Sequence, residues 1–265
     1  MTTNGLVIET TNQDGVRWLW LNRPQLGNAF DDHVIQELTR ALATAAEDST
    51  VRCVVLAGRG KHFSAGADFN WMQRMVELPL AENTADAMQL ASLMRAIHEC
   101  PKPTIAAVNG AAFGGALGLI CACDIAVAAD NATFCLSEVK LGLIPAVISP
   151  YVIAAMGRRQ ASRWMLTAAP FNAVTARDID VVHEVVPADE LHARVQAIAI
   201  ALNQNGPQAL GECKRLIRDV SGRAIDNELV ALTANRIAHI RVGAEGQEGL
   251  RAFLQKREPA WRQKD

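Results

Sequence analysis

The chain has 265 residues, half of them hydrophobic, and carries a formal net charge of -2. That length and composition suit one large core, which excludes a disordered chain and a short disulfide-stabilised scaffold. The small net charge gives no broad positive field of the kind that attracts nucleic acid, so we expect no nucleic-acid partner.

No segment of the sequence is predicted to enter a membrane or to direct export. Residues 1–15 lack the charged and then apolar order of a signal peptide, so we expect a cytoplasmic protein. Residues 105–123 contain no charge over nearly the length of a membrane span. A turn signal at 109–110 and a glycine pair at 114–115 interrupt this stretch, which predicts a buried strand, a tight loop and a buried helix, with no membrane partner.

The N-terminal part alternates strand-like and helix-like patterns, which predicts an α/β fold. A first helix is expected from about Asp32, with Asp31 or Asp32 as its cap, and a second at residues 88–98. Strands are predicted at residues 6–10, 16–22, 51–58, 104–110, 124–129 and 133–137.

After Pro150 the apolar periodicity becomes mainly helical. Helices are predicted near residues 159–167, 189–202, 207–220 and 227–241, and only residues 181–187 look strand-like there. We therefore divide the chain into an α/β core domain at residues 1–200 and a C-terminal helical region at residues 201–265.

The sequence lacks the motifs of the common metal and nucleotide enzymes. No HExxH, GxxxxGK[ST] or GxSxG occurs, and the glycines of GAAFGGALG do not have the GxGxxG spacing of a dinucleotide-binding turn. The six cysteines lie mostly in apolar runs, which is typical of buried thiols rather than of disulfides or metal ligands. We expect no metal and no separate cofactor.

Two strand-to-helix junctions, residues 64–68 and 109–115, consist of very small residues. Small side chains let a ligand lie against the main chain, and the unpaired amides at a helix start point at any negative charge there. Either segment alone is better explained by a tight turn that permits helix–sheet packing. Together they predict an oxyanion hole.

Glu138 is the candidate acid or base. It lies in residues 137–145, after a buried strand and before an apolar turn. Such a setting can raise a glutamate pKa into a useful range by desolvation. The same pattern also suits a solvated residue at a strand end.

Several anchors along the chain resemble, in order and spacing, the crotonase family, also called the enoyl-CoA hydratase/isomerase superfamily. They are residues 21–24 (LNRP), 28–30 (NAF), 63–68 (FSAGAD), 109–110 (NG), 114–115 (GG), 123–124 (CD), 138 (E), 141–142 (LG) and 248–257 (EGLRAFLQKR). The resemblance implies a spiral core of repeated ββα units. It also implies C-terminal helices that build a homotrimer or a dimer of trimers.

The resemblance also implies roles for individual residues. The amides of Ala67 and Gly115 correspond to the oxyanion hole, and Glu138 to the catalytic carboxylate. The substrate is implied to be an acyl-CoA thioester, so that coenzyme A is part of the substrate and not a cofactor. The residues implied to contact the CoA and acyl groups are Ala65, Asp68, Phe69, Asn70, Gly114 and Gly118, with Lys61, Arg23 and Lys256 as candidate partners of the CoA phosphates.

One position departs from the family pattern, because Gly118 stands where typical hydratases have the first of two catalytic glutamates. Residues 64–72 and 137–151 nevertheless look like those of bacterial methylglutaconyl-CoA hydratases, with Ala146-Val147-Ile148 in place of a frequent glycine-rich run. We expect a hydratase of a branched glutaconyl-type CoA ester. Two alternatives stay open: a Δ3,Δ2-enoyl-CoA isomerase with a single glutamate base, and a non-catalytic RNA-binding or scaffold member of the fold.

Overall fold

A computed structural model describes residues 7–262, and the predicted start of the first strand at Leu6 lies outside the described residues. Six strands form one sheet in the order β1-β2-β3-β4-β6-β9, in which β1 is antiparallel to β2 and the other neighbours are parallel. These strands are β1 (Ile8–Gln13), β2 (Val16–Leu21), β3 (Cys53–Gly58), β4 (Thr104–Val108), β6 (Ile125–Ala129) and β9 (Glu184–Val186).

A second sheet of three short strands lies beside the first, in the order β5-β7-β8. Its strands are β5 (Ala112–Phe113), β7 (Thr133–Cys135) and β8 (Phe171–Asn172). The described helices are α1 (Asp32–Glu47), α2 (Phe69–Glu77), α3 (Leu80–Glu99), α4 (Gly115–Ala122), α5 (Ser149–Thr167), α6 (Ala173–Asp178), α7 (Leu191–Asn203), α8 (Pro207–Val220), α9 (Asn227–Val242) and α10 (Ala244–Leu254). None of the helices in residues 7–262 is long and apolar enough to cross a membrane.

The main sheet is buried on both faces, as parallel strands require. In β3, Val54 and Leu56 face the larger core, which α1, α3 and α4 help to form, whereas Val55 faces a smaller core with α7. Every residue of β3 and β4 is buried. This explains why both strands appear in the sequence as short continuous apolar runs.

The start of α1 follows the sequence prediction. The Asp31 carboxylate accepts a hydrogen bond of 2.9 Å from the Val34 amide, which satisfies one of the free donors at the helix start. Val34, Leu38 and Leu42 are buried on the predicted face. Asp31 is therefore the cap.

Several elements differ from the sequence prediction for local reasons. Helix α2 was not predicted, and only Trp71 of its residues is buried, so it has no continuous apolar stripe. Helix α3 begins at Leu80, well before the predicted residue 88. Its buried residues lie only in its second half, so its first half has no apolar pattern that predicts a helix. Helix α5 begins at Ser149 and is interrupted at Gly157, whose φ of 71° is not helical, and the predicted helix is the part after this break. Helix α6 and strands β5 and β8 were also missed.

The C-terminal helices are attached near the amino ends of the sheet strands. Arg52, just before β3, donates a hydrogen bond of 2.7 Å to the Asn205 carbonyl, and Trp261 donates one of 3.2 Å to the Gln204 carbonyl. Glu245 of α10 accepts hydrogen bonds from the first turn of α8. The division into regions at residue 200 stays a prediction.

Candidate active site

The two predicted loops meet at the carboxyl ends of β3 and β4. The Ser64 amide donates to the Ala111 carbonyl at 3.0 Å, and the Phe113 amide donates to the Ser64 carbonyl at 3.0 Å. A Cβ atom added to Gly66 would lie 2.8 Å from the Phe113 carbonyl oxygen. The loops are therefore so close that Gly66, with its φ of 93°, could not carry a side chain.

Hydrogen bonds of Asn28 hold the first loop in place. Its side-chain amide donates to the carbonyls of Arg59 and His62 at 2.8 and 2.7 Å, and its side-chain oxygen accepts from the Arg23 amide at 2.9 Å. The Ser64 hydroxyl donates to the Asn28 carbonyl at 2.8 Å. Asn28 is 1% exposed, so these bonds are shielded from water. The sequence marked Asn28 only as an anchor of the resemblance and gave it no role.

The amides of Ala67 and Gly115 are free donors at this pair of loops. Within residues 7–262 neither amide donates a hydrogen bond. Gly115 is the first residue of α4, where a backbone N–H has no partner inside the helix. A Cβ atom added to Gly115 would lie 2.7 Å from Cζ of Phe30, so the ring of Phe30 packs directly against this residue.

Glu138 places its carboxylate beside the start of α4. A Cβ atom added to Gly114 would lie 3.3 Å from Oε1 of Glu138. The other oxygen, Oε2, is buried and has no hydrogen-bond partner among the described residues. Burial raises the pKa of the Glu138 carboxyl, and a hydrogen bond with its own backbone amide lowers that pKa in part. The sheltered setting predicted for Glu138 is therefore present, and the alternative of a solvated strand end does not apply.

Gly118 is buried, and the space above it is already filled. A Cβ atom added there would lie 2.2 Å from Cγ2 of Ile148 and 3.1 Å from Sδ of Met94. Ile148 is 2% exposed and Met94 is fully buried. The wall at this point is apolar, and it has no room for a water molecule in the place of a side chain at residue 118.

Arg23 and Asp68 form an ion pair with each other. The Arg23 guanidinium pairs with Asp68 at 3.0 Å and with Asp31 at 2.9 Å. The Asp68 carboxylate also caps α2 by accepting a hydrogen bond of 2.8 Å from the Asn70 amide. This arrangement ties the first loop to the start of α1. The predicted role of Arg23 at a CoA phosphate stays a prediction, and its role in this ion-pair cluster is a second one that the sequence did not show.

Four other predicted residues lie at the exposed rim of the loops. The exposed residues are Ala65, Phe69, Asn70 and Lys61. The side chain of Phe69 is 74% exposed. The Lys61 carbonyl oxygen lies 2.1 Å from the position of a Cβ atom on Gly110, so Gly110 allows residues 61 and 110 to approach. These four positions lie between residue 61 and the start of α2, and their contacts with substrate stay a prediction.

Lys256 does not join this group within one chain. It directly follows α10, and Arg257, its neighbour, pairs with Glu248 at 2.7 Å, in the segment that Trp261 attaches to Gln204. That attachment lies at the amino ends of the strands, whereas the loops lie at the carboxyl ends. A large cleft of about 1370 Å³ also lies at the amino ends, between the core and α8 to α10. None of the predicted site residues lines it.

The sequence comparison decides the family. Residues 11–264 match the profile of the family described as Enoyl-CoA hydratase/isomerase. The chain belongs to this family. As a member of the enoyl-CoA hydratase/isomerase family it has the crotonase fold, and it is an enzyme of the enoyl-CoA hydratase type. The resemblance that the sequence motifs indicated is thereby confirmed at family level.

Solved structures and a relative with a named substrate support this assignment. A crystal structure of an enoyl-CoA hydratase from Shewanella pealeana is 47% identical, with a TM-score of 0.94 and coverage of 97% of this chain and 96% of its own. Pseudomonas aeruginosa AtuE is 35% identical, with a TM-score of 0.92 and coverage of 97% and 100%. The 2,3-dehydroadipyl-CoA hydratase of Escherichia coli is 33% identical, with coverage of 94% and 96%.

The sequence motifs did not reveal Phe30, Met94 or the contact of Ile148 with Gly118. Phe30 belongs to the NAF anchor, which was a signal without an assigned role. Met94 carried no signal beyond its place in a helical pattern, and it lies on α3, far from α4 and α5 along the chain. The packing of these residues depends on how helices come together, which periodicity alone does not determine.

Proposed function

We propose that the enzyme hydrates an α,β-unsaturated acyl-CoA, with a branched glutaconyl-type ester such as 3-methylglutaconyl-CoA as its substrate. One observation carries the proposal. The half-buried carboxylate of Glu138, whose Oε2 is buried and has no partner among residues 7–262, lies beside the start of α4. There the Gly115 amide is free, and the Ala67 amide is free on the adjoining loop. A carboxylate and two amide donors are the groups that enolate chemistry at a thioester requires.

The proposed reaction gives each of these groups a role. The amides of Ala67 and Gly115 donate to the thioester oxygen and stabilise the negative charge that develops on it. Glu138 takes a proton from water as the water oxygen bonds to C3, and the C2–C3 π electrons move toward the thioester to form the enolate. Glu138 then returns the proton to C2. A raised pKa suits both halves of this transfer, because the carboxyl must accept and donate the proton near neutral pH.

Two observations support a substrate with a second carboxylate. Residues 69–72 and 146–148 resemble those of methylglutaconyl-CoA hydratases. The related Escherichia coli enzyme is named for 2,3-dehydroadipyl-CoA, which is also the ester of a dicarboxylic acid. A distal carboxylate needs a polar or cationic partner, since an unpaired charge in an apolar pocket costs several kcal/mol.

The test compares kcat/KM for 3-methylglutaconyl-CoA and crotonyl-CoA in the hydration direction. We expect the glutaconyl ester to be favoured by at least about tenfold, which corresponds to about 1.4 kcal/mol from one polar contact. Glutaryl-CoA, which carries the distal carboxylate but no double bond, serves as a competitive-binding control. Equal kcat/KM values for the two enoyl esters would rule out the substrate proposal but not hydration itself.

A second candidate activity is Δ3,Δ2-enoyl-CoA isomerisation. It is favoured by the presence of Glu138 without a second carboxylate at Gly118, because moving a proton between C4 and C2 needs only one base. Incubation with a 3-enoyl-CoA, followed by product analysis, separates the two reactions. Double-bond migration without hydration would favour the isomerase, and no turnover of any ester would favour the scaffold alternative.

A further inference from the structure

Ile148 and Gly118 fit together so closely that neither position can be changed alone without disturbing the other. A Cβ atom on Gly118 would lie 2.2 Å from Cγ2 and 2.7 Å from Cβ of Ile148. These distances are far below ordinary van der Waals contact, so any side chain at 118 requires Ile148 to move. Met94 of α3 closes the same space from the other side, with Sδ 3.1 Å from that Cβ position.

This packed pair lies one helical turn from the candidate catalytic carboxylate. Gly114 is the cap and Gly118 lies in the first turns of α4, so the two residues are four positions apart on one face of the chain. The carboxylate of Glu138 lies against the first glycine, and the side chain of Ile148 lies against the second. Four residues of helix rise about 6 Å, which sets the scale of the separation between the two side chains.

Ile148 is held rigidly in this position. It caps α5, and its carbonyl accepts hydrogen bonds of 3.1 Å from the amides of Tyr151 and Val152. Its β-branched side chain has few rotamers, and it is 2% exposed. The wall beside Glu138 is therefore apolar, stiff and filled.

We propose that Ile148 is the specificity-determining residue of the acyl site. A thioester carbonyl bound at the Gly115 amide places the reacting carbons beside Glu138, and a longer acyl chain would continue along α4 toward Gly118. Ile148 closes that path. The site accepts short or branched acyl groups and rejects long straight ones. This inference rests on the proposed function, since it assumes that an acyl thioester binds with its reacting carbons at Glu138.

The test is a chain-length series of straight 2-enoyl-CoA esters, from crotonyl through hexenoyl and octenoyl to decenoyl, with wild type and Ile148→Ala. The ratio of kcat/KM for octenoyl-CoA to that for crotonyl-CoA should rise at least about tenfold in Ile148→Ala, the scale of one or two methylenes in an apolar pocket. Ile148→Val should shift the ratio less and in the same direction. Val152→Ala is the matched control, because it truncates a fully buried side chain of the same helix but leaves Ile148 over Gly118.

A thermal-stability series tests the packing without any substrate. Gly118→Ala should lower Tm by at least about 3 °C in the wild type, from overpacking against Ile148. In an Ile148→Ala background the same change should lower Tm less, because Cγ2, the atom at 2.2 Å, is gone, while the Cβ atom at 2.7 Å remains.

The outcomes separate this inference from the proposed function. If the wild type hydrates the esters but Ile148→Ala keeps the wild-type chain-length ratio, or Val152→Ala shifts it equally, Ile148 does not determine specificity. Independent effects of the substitutions at 118 and 148 on Tm would overturn the packing itself. If the wild type hydrates none of the esters, the proposed function fails, whatever the Tm series shows.

Discussion

At the scale of single residues, Glu138 is unusual because one of its carboxylate oxygens, Oε2, is buried and has no hydrogen-bond partner among residues 7–262. A buried polar atom without a hydrogen bond destabilises the folded protein, because it has lost its hydrogen bonds to water and has gained none. Such groups concentrate at sites where a substrate or water completes them. The structure therefore agrees with a catalytic role for Glu138, and two measurements can test that role separately.

The first prediction concerns turnover. Glu138→Gln keeps the size of the side chain but cannot carry a proton between water and carbon. We expect kcat to fall by about 10²- to 10⁴-fold, the usual range for loss of a general acid–base group. The Kd of a saturated acyl-CoA should change far less. Turnover near the wild-type rate would show that another group transfers the proton.

The second prediction concerns stability against pH. Burial raises the folded-state pKa of Glu138 above the unfolded value of about 4.3. The stability contributed by the protonated carboxyl is present below the unfolded pKa and is lost as pH rises through the folded pKa. The Tm of Glu138→Gln minus the Tm of the wild type should therefore be larger at pH 8 than at pH 4.

Glu184→Gln is the control of opposite sign. Arg194 holds the pKa of Glu184 below its ordinary value through a hydrogen-bonded ion pair. Its contribution to stability is present above the unfolded pKa and is lost as pH falls. The Tm of this variant minus the Tm of the wild type should be smaller at pH 8 than at pH 4. The same trend in both variants would contradict the raised pKa of Glu138.

At the scale of secondary-structure elements, the site depends on how two loops and the start of α4 present their amides. The third prediction tests the Gly115 donor with two variants in a Phe30→Leu background, which makes room for a side chain. Gly115→Ala keeps the N–H, and Gly115→Pro removes it at a first helical position where proline is tolerated. The proline variant should have a kcat about 10²- to 10³-fold lower than the alanine variant.

Comparable Tm values for these two variants are the necessary control for folding. Equal kcat values at comparable Tm would remove Gly115 from the oxyanion hole. Ala67 is tested less directly, because its side chain carries no part of the proposed function, and Ala67→Gly should be mild.

The fourth prediction separates Arg23 from Lys61. Arg23→Gln breaks the pairs with Asp31 and Asp68 and should lower the free energy of unfolding by about 1–3 kcal/mol. Lys61 is exposed, and its side chain makes no hydrogen bond or ion pair within residues 7–262, so Lys61→Ala should leave Tm unchanged. If Lys61 binds a CoA phosphate, the KM for the acyl-CoA should rise by up to about fivefold, with no change for the acyl-pantetheine ester.

A KM change with both esters would place Lys61 at the pantetheine or acyl group. For Arg23, an increase in KM restricted to the acyl-CoA, with Tm unchanged, would show a phosphate ligand and not an ion pair that supports the fold.

The sequence was sufficient for the elements that bury a regular apolar pattern. Residues 51–58 and 104–110 appeared as short apolar runs because β3 and β4 are buried on both faces. Helix α8 was predicted at its observed bounds. The missed helix α2 buries only Trp71, and its start depends on the Asp68 cap within a loop whose conformation tertiary contacts determine.

The site was predictable only in part. The meeting of residues 64–68 with 109–115 follows from parallel neighbouring strands, whose carboxyl ends lie at one edge of the sheet. Glu138 was a candidate from its setting after a buried strand, and the resemblance to a family implied its catalytic role, whereas no spacing rule singled it out. The contact of Ile148 with Gly118 joins two helices and has no periodic signature in sequence, so it could be found only in three dimensions.

At the scale of the whole molecule, the exposed apolar side chains of the C-terminal helices indicate an interface. Val242, Phe253 and Leu254 are each more than three-quarters exposed. Large apolar side chains on adjoining elements are typical of surfaces that a partner covers. We propose that these residues contact other copies of the chain, as the predicted homotrimer or dimer of trimers requires.

The fifth prediction tests this assembly and the role of Lys256 together. The wild type should have the mass of a trimer or hexamer by light scattering, and Phe253→Glu should lower that mass. We propose that Lys256, whose segment is attached near the amino ends of the strands through Trp261, contacts CoA at the site of another subunit. Lys256→Ala alone should raise KM. In oligomers that combine Lys256→Ala subunits with Glu138→Gln subunits, some sites have the intact Glu138 of the first and the intact Lys256 of the second, and these sites should have the lower KM again.

A monomeric wild type would remove the basis for this role, and co-assembled oligomers without any low-KM sites would show that Lys256 does not act between subunits. Oligomers formed only from Lys256→Ala are the matched control, since every site in them lacks the lysine.

The tight fit of Ile148 on Gly118 also constrains how this enzyme can evolve. A side chain gained at 118 meets Ile148 at 2.2 Å, and a smaller residue at 148 leaves an empty space above the glycine. Each first step away from the present pair therefore lowers fitness through stability, even where the second step would repair it. A descendant could gain a carboxylate at 118 only by crossing this valley, and valine at 148 does not lower it, because valine keeps the Cβ and Cγ2 atoms that meet a side chain at 118.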